Sequence, residues 1–396
     1  MYFCHRKRRR NGDCNMRISF CGDISVSDRA ELFAKQDVSA LFNDIPKAFA
    51  GSDRVIANLE CAVTDKETAI KKFGPPLKGP FGTVEVLKKI GVTDCALSNN
   101  HIFDYGKAGL KDTISELEKN GIGYTGIGEN EIDARRDMVI EFGGKKISIV
   151  NACEHEFSYA LEDRVGARAF DPFETADDIA KAKQTSDFVV LILHGGKEFC
   201  EYPSTRLVKL CRSMVRRGAD LVLCQHTHCI SCYEEFEGGH ILYGQGNFHF
   251  IKSSYSTTRP TWNEGLIVHA DFGDDCKVEF VPVIVEGPGI RLANSEESAR
   301  MLSGMDERSK TLVDGSYKEK FAEFANDPKQ EYYRFLEKYV PADQMDKFAH
   351  YLDCEAHTDI WKELYKTYNA TNERDFVKPT TPRKRSDGQT AISNEI

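Results

Sequence analysis

No stretch of this chain carries the roughly 18 uninterrupted apolar residues that a membrane-spanning helix needs, so no span is expected. The amino terminus has a basic run, His5-Arg6-Lys7-Arg8-Arg9-Arg10, but no apolar segment follows it. Asn11-Gly12-Asp13 comes next, which argues against a secretory signal and leaves 1–15 as a solvated basic tail. An excess of positive charge is also lacking. Lys and Arg number 53 against 62 Asp and Glu, a formal net charge of -9, which disfavours nucleic acid as a partner. Cys is present, thirteen residues in all, but not in the short, even-numbered frame of a disulfide scaffold. Cys95, Cys153 and Cys224 sit inside apolar runs. The set reads as reduced, buried thiols in a cytoplasmic setting. No internal repeat or long low-complexity tract is visible.

What is present is ample material for a core. The chain has 396 residues, 41% of them hydrophobic, enough for one large domain or two ordinary ones. From Met16 onward, short apolar runs alternate with amphipathic stretches. Strands are expected over Arg17–Cys21, Arg54–Asn58, Asp94–Ser98, Lys146–Asn151, Phe188–Leu193 and Leu221–Cys224. Helices are expected over Lys107–Asn120 and Ser204–Arg217, each stopped by a Gly. Met138–Phe142 and Lys146–Asn151 face each other across Gly143-Gly144 as a hairpin. This alternation gives an α/β class.

After His240 the pattern changes. Ile241–Tyr243, Gly265–Phe272 and Lys277–Val285 read as successive strands of a second sheet with antiparallel edges. Beyond Gly287-Pro288-Gly289, helices are expected over Ser295–Ser303, Ser316–Phe324, Gln330–Tyr339, Ala342–Leu352 and Asp359–Tyr368. The organisation expected is a basic tail at 1–15, a main domain at 16–290, a helical appendage at 291–376 and a disordered tail at 377–396. The appendage is the size of a small domain or a lid, and its helices could receive a protein partner.

Six short motifs fall where expected strands end. Ligands of α/β sheets bind beyond the carboxyl ends of strands, because the loops converge there. Phe20-Cys21-Gly22-Asp23 and Ala57-Asn58-Leu59-Glu60 each run a strand into a carboxylate. Taken singly, each is equally a plain strand-end turn or a solvated charge. Leu97-Ser98-Asn99-Asn100-His101, with Asp104-Tyr105-Gly106 behind it, sets two amides and an imidazole after an apolar run. A turn explains the Asn residues but not the His beside them. Leu193-His194-Gly195-Gly196-Lys197-Glu198 ends a strand in His, which alone is more often a structural hydrogen-bonding residue. Cys224-Gln225-His226-Thr227-His228 is the strongest signal, since His-x-His puts two imidazoles on one face of an extended segment. Tyr243-Gly244-Gln245-Gly246-Asn247-Phe248 is a tight strand exit in which Asn247 could buttress the others.

Together the motifs supply mixed nitrogen and oxygen ligands without thiolate, which suits Mn, Fe, Zn or Ca and selects none of them. Cys229-Ile230-Ser231-Cys232 is a rival thiolate pair, but no second pair completes a zinc ribbon. Cys153-Glu154-His155-Glu156 is another candidate pocket segment, with solvated charge at a strand end the plainer reading.

The ordered set of six motifs resembles the bacterial capsule-synthesis CapA family, also called the poly-γ-glutamate biosynthesis family, within the calcineurin-like metallophosphatase superfamily. The resemblance covers about 16–286. It implies a four-layer α/β/β/α sandwich with two divalent metal ions in the loops. Carried over by motif, Asp23 is similar to a ligand of the first ion and Glu60 to the bridging carboxylate. Asn100, His194 and His226 correspond to ligands of the second ion, and His228 to one of the first. His101 is similar to the general acid, so catalysis would depend on His101 and Asp23. Asn99, Asp104, Glu198 and Asn247 would bind substrate or support the ligands. Two departures stand out. Asp23 is followed by Ile24-Ser25 where phosphatases carry Asp-x-His, and the bridge is Glu rather than Asp.

The function implied is a metal-dependent hydrolase. Its substrate would be a small-molecule phosphoester or a peptide- or polymer-like molecule, in cell-surface polymer or natural-product biosynthesis. Two alternatives stay open: proton abstraction or amide chemistry on a peptide, such as epimerisation, and a non-catalytic polymer-binding or assembly subunit.

Overall fold

The computed structural model describes residues 15–72, 74–154, 156–327, 350–351 and 354–372. The basic run at the amino terminus, the helix expected over Gln330–Tyr339 and the tail from Val377 lie outside them, as does most of Ala342–Leu352.

Two mixed sheets form the centre. In the first, Met16–Ser25 pairs in parallel with Arg54–Leu59, followed by Asp94–Ala96 and Gly123–Thr125. On its other side it pairs antiparallel with Glu264–Phe272, followed by Cys276–Glu286 and Gly289–Leu292. Asn247–Phe250 joins its carboxyl end, pairing Asp23 with Asn247. The second sheet runs in the order Tyr233–Phe236, Gly239–Leu242, Leu221–Gln225, Phe188–His194, Lys145–Cys153, Met138–Phe142. The Gly143-Gly144 hairpin forms as expected, with both residues at positive φ.

Side-chain alternation fixes the layers, because successive strand residues face opposite ways. Ile18, Phe20 and Ile56 of the first sheet meet Ile147, Ile149, Val190 and Ile192 of the second in a core between the sheets. On the far side of the first sheet, Ala57, Leu59 and Cys95 pack against Val84, Leu87 and Leu110 of the helices Thr83–Ile90 and Gly106–Asn120. On the far side of the second, Val189, Leu191 and Leu193 pack against Ile179, Leu207 and Met214 of the helices Pro172–Thr185 and Thr205–Arg216. This is the four-layer α/β/β/α sandwich that the resemblance implied.

The strands after His240 do not form a sheet of their own. Gly239–Leu242 completes the six-stranded sheet, whereas Glu264–Phe272 and Cys276–Glu286 extend the first. The cause is the free edge of Met16–Ser25. Leu266, Val268 and Ala270 alternate in register with Ile18 and Phe20 and share their core.

The helix expected over Ser295–Ser303 continues to Asp314, started by a capping box of Asn294 and Glu297. Its Met301 and Met305 enter the core between the sheets, and Leu312 joins the outer layer of the second. Tyr317–Ala325 and Glu355–Asn372 pack together in a smaller cluster that includes Cys200. The eleven described cysteines are all buried. Among the described residues no helix is long and apolar enough to cross a membrane.

Candidate metal centre

The strand ends meet at one edge of the sandwich. Asp23 sits just after a register shift in Met16–Ser25. Gly22 makes that shift feasible: a Cβ there would lie 2.2 Å from the carbonyl oxygen of Gly246. Glu60 follows Arg54–Leu59 directly, and His194 is the last residue of Phe188–His194. His226 and His228 follow Leu221–Gln225, but not in extended form. Both adopt positive φ, +83° and +53°. The expected extended His-x-His is therefore corrected to a turn. Two left-handed residues bring both rings to the centre, at a cost of about 1–3 kcal/mol each. Such strain persists only where the surroundings hold it.

Ligating atoms of Asp23, Glu60 and His228 lie within 4.8 Å of one another, and so do those of Glu60, His194 and His226. Glu60 belongs to both groups. A third group, Glu198 with His226 and His228, overlaps them at the mouth of the site. The Oδ1 of Asn100 is 2.9 Å from Nε2 of His194, which places Asn100 beside the second group.

Glu60 is fully buried, yet neither carboxylate oxygen accepts a hydrogen bond from the described residues. Burial, and then the charge of Asp23, raises its pKa well above the ordinary carboxylate value. A buried carboxylate without donors is costly unless a cation meets it. Burial disfavours charge on His228 as well, but Glu60, Asp23 and Glu198 outweigh it and raise its pKa. Burial holds His194 neutral, with a pKa near 4, so that a ring lone pair is kept at neutral pH. Two carboxylates and three imidazoles of this kind fit divalent ions.

Around these residues lies a layer of fixed hydrogen bonds. Asn58 Nδ2 donates to Asp23 Oδ1 (2.7 Å) and lies 3.1 Å from His194 Nδ1. Asn99 Nδ2 donates in turn to Asn58 Oδ1 (2.9 Å) and to the Leu59 carbonyl (2.9 Å). The backbone N–H of His226 donates to Asp23 Oδ2 (2.9 Å). His228 Nδ1 meets Asn247 Oδ1 at 2.9 Å, and Asn247 Nδ2 donates to the Trp262 carbonyl. His101 Nδ1 lies 2.7 Å from Asp104 Oδ2, while Asp104 Oδ1 pairs with Lys72. Burial, and then the Lys72 ammonium, lowers the His101 pKa to about 4.

Three contributors escape a reading of the sequence. Asn58 enters there only as part of a motif, although it bridges Asp23 and His194. Lys72 lies in an irregular segment with no periodic signal. Glu154, whose plainer reading is solvated charge and whose other reading is a pocket segment, is a buried carboxylate behind the cavity lining. It is 2% exposed and accepts the Gly196 N–H at 2.9 Å. A signal exists, since Ala152-Cys153-Glu154 ends a buried strand in a carboxylate just as Asn58-Leu59-Glu60 does. His155 lies outside the described residues. Cys229 and Cys232 are buried and enter none of these ligand groups, and burial pushes the Cys232 thiol up to about 12.

The centre opens into a cavity of about 440 Å³ lined by Asn100, His101, Glu198, His226 and His228. Lys197, Lys252 and Arg259 also line it. The floor is thus acidic and imidazole-rich, with cations on the walls. A larger groove of about 660 Å³ lies between Pro172–Thr185 and Thr205–Arg216, but no His and none of the expected site residues line it.

Residues 17–252 match the family described as bacterial capsule synthesis protein PGA_cap. Among curated proteins, the chain is 29% identical over 254 residues to the capsule biosynthesis protein CapA of Bacillus anthracis, a match covering 62% of this chain and 61% of that one. It is 30% identical over 243 residues to the PGA biosynthesis protein CapA of Bacillus subtilis (strain 168), covering 59% and 62%. The matched region therefore spans about three fifths of the length of these curated relatives. Among solved structures, a hypothetical protein from Thermus thermophilus aligns with a TM-score of 0.40 at 19% identity, covering 70% of this chain and 96% of that one. A 5'-nucleotidase precursor from the same organism aligns with a TM-score of 0.41 at 11% identity, covering 76% and 59%.

Proposed function

The chain belongs to the bacterial capsule synthesis protein PGA_cap family, and from that premise we propose that its strand-end cluster is a two-ion metal centre serving a hydrolase-type reaction. The substrate is a phosphoester or a peptide- or polymer-like molecule of cell-surface polymer or natural-product biosynthesis. The observation that carries this reading is Glu60: shared by two ligand groups, fully buried, and accepting no hydrogen bond from the described residues.

In this reading Asp23, Glu60 and His228 hold one ion, and Glu60, His194, His226 and Asn100 hold the other. Bound divalent ions supply water activation and neutralisation of charge on the substrate's oxygens. The chain's own residues do the rest. Asn58 and Asn99 fix Asp23 and His194, and Asn247 fixes His228. Asp104 orients His101 through Nδ1, leaving Nε2 for proton exchange with substrate. Lys197, Lys252 and Arg259 on the cavity wall favour a substrate that carries negative charge.

Metal analysis coupled to a phosphoester and peptide screen tests the reading. His101→Ala is expected to abolish turnover and keep its metal. Retained turnover of a natural phosphoester by that variant would remove His101 from the mechanism.

A second reading is favoured by one observation. With its pKa lowered to about 4, His101 is neutral at physiological pH, and with Nδ1–H on Asp104 its Nε2 is a base rather than an acid. Proton abstraction beside a carbonyl, as in epimerisation, uses that form directly. Deuterium uptake at a substrate carbon in heavy water, without bond cleavage, separates it from hydrolysis.

A further inference from the structure

A buried ion-pair chain links this centre to the carboxyl-terminal helix. Glu154 faces the loop after His194. Its Oε2 accepts the Gly196 N–H, and a Cβ on Gly195 would lie 2.5 Å from the same carboxylate. Its Oε1 lies 2.8 Å from Arg206 Nη1. Arg206 Nε donates to Asp359 Oδ2 at 2.9 Å, and Ser204 Oγ donates to the same oxygen. Asp359 belongs to Glu355–Asn372, a helix outside the 17–252 family match. That helix also brings His357 to the cavity wall, next to Tyr351.

One guanidinium thus stands between two buried carboxylates, one that accepts a hydrogen bond from the loop after a proposed ligand and one on a helix that walls the cavity. We infer that Arg206 is a positioning residue that couples docking of the carboxyl-terminal helix to the geometry of the His194–Gly196 loop, so that the cavity wall and the metal loop form together. The inference rests on the strand-end cluster being the functional site. Asp359 and, at 3.6 Å, Glu355 of the same helix both face Arg206, so undocking the helix removes the partners that hold the guanidinium in place against Glu154. Coupling of this kind is reciprocal: what stabilises the loop also stabilises the docked helix.

Hydrogen exchange on the full chain tests it, comparing the native sequence with Asp359→Asn and with Lys362→Ala, an exposed position on the same helix. Asp359→Asn is expected to speed exchange about tenfold at amides 195–200 as well as in the helix, and to weaken Mn²⁺ binding by about tenfold. Lys362→Ala is expected to change neither. Should Asp359→Asn fail to fold by near-ultraviolet circular dichroism, Arg206→Lys keeps the charge, loses the fork, and is expected to shift exchange in the same two segments. Faster exchange confined to the helix, with loop exchange and Mn²⁺ affinity within about twofold of native, overturns the inference. Absence of Mn²⁺ binding in the native chain defeats the metal reading instead, and the exchange data still decide the coupling.

Discussion

Glu60 concentrates the argument at the scale of single residues. Its pKa is raised by burial and by Asp23, so in the metal-free protein it destabilises the fold that holds it. Glu60→Gln removes that charge at nearly constant volume. The expected result is a metal-free protein more stable by about 1 kcal/mol, by chemical denaturation in chelator, with binding of divalent metal weakened at least about tenfold. Lower stability of the variant in chelator would show that Glu60 is satisfied without a cation. Asp23, Glu60, His194 and His228 are legible in the sequence because each closes or closely follows an apolar strand. Asn58 and Lys72 are not, because an amide inside a strand and a lysine in an irregular loop carry no pattern until tertiary contacts supply a partner.

Elements are where the expected pattern and the structure part company. Strand positions in the parallel half are readable from period and flanking turns. Membership of the late strands is not, since an antiparallel hairpin can extend either sheet and only the exposed edge of Met16–Ser25 decides. The His-x-His segment shows the same limit: residue type signals ligands, but the left-handed turn that converges them is set by its neighbours. Gly22 exemplifies what such convergence requires. Gly22→Ala is expected to destabilise the protein by about 1–3 kcal/mol, read as a lowered denaturation midpoint, because the methyl group would meet the Gly246 carbonyl. An unchanged midpoint would mean the Asp23 bulge relaxes freely.

For the whole molecule, the sandwich continues beyond the residues that carry the resemblance. Met301 and Met305 of Ser295–Asp314 pack in the core between the sheets. Met301→Ala is expected to cost about 2–5 kcal/mol of global stability in a single cooperative transition. A separate early transition would mark that helix as independent. The carboxyl-terminal helix reaches the cavity wall as well, through His357. What the cavity does depends on whether the converging strand ends hold metal. The most direct test is metal content and thermal stability of the purified chain titrated with Mn²⁺, Zn²⁺ and Ca²⁺ after chelation. Two equivalents per chain and a raised melting temperature with at least one of these ions, both lost in Asp23→Ala, are the expected result. No bound ion and no thermal shift with any of the three would contradict it.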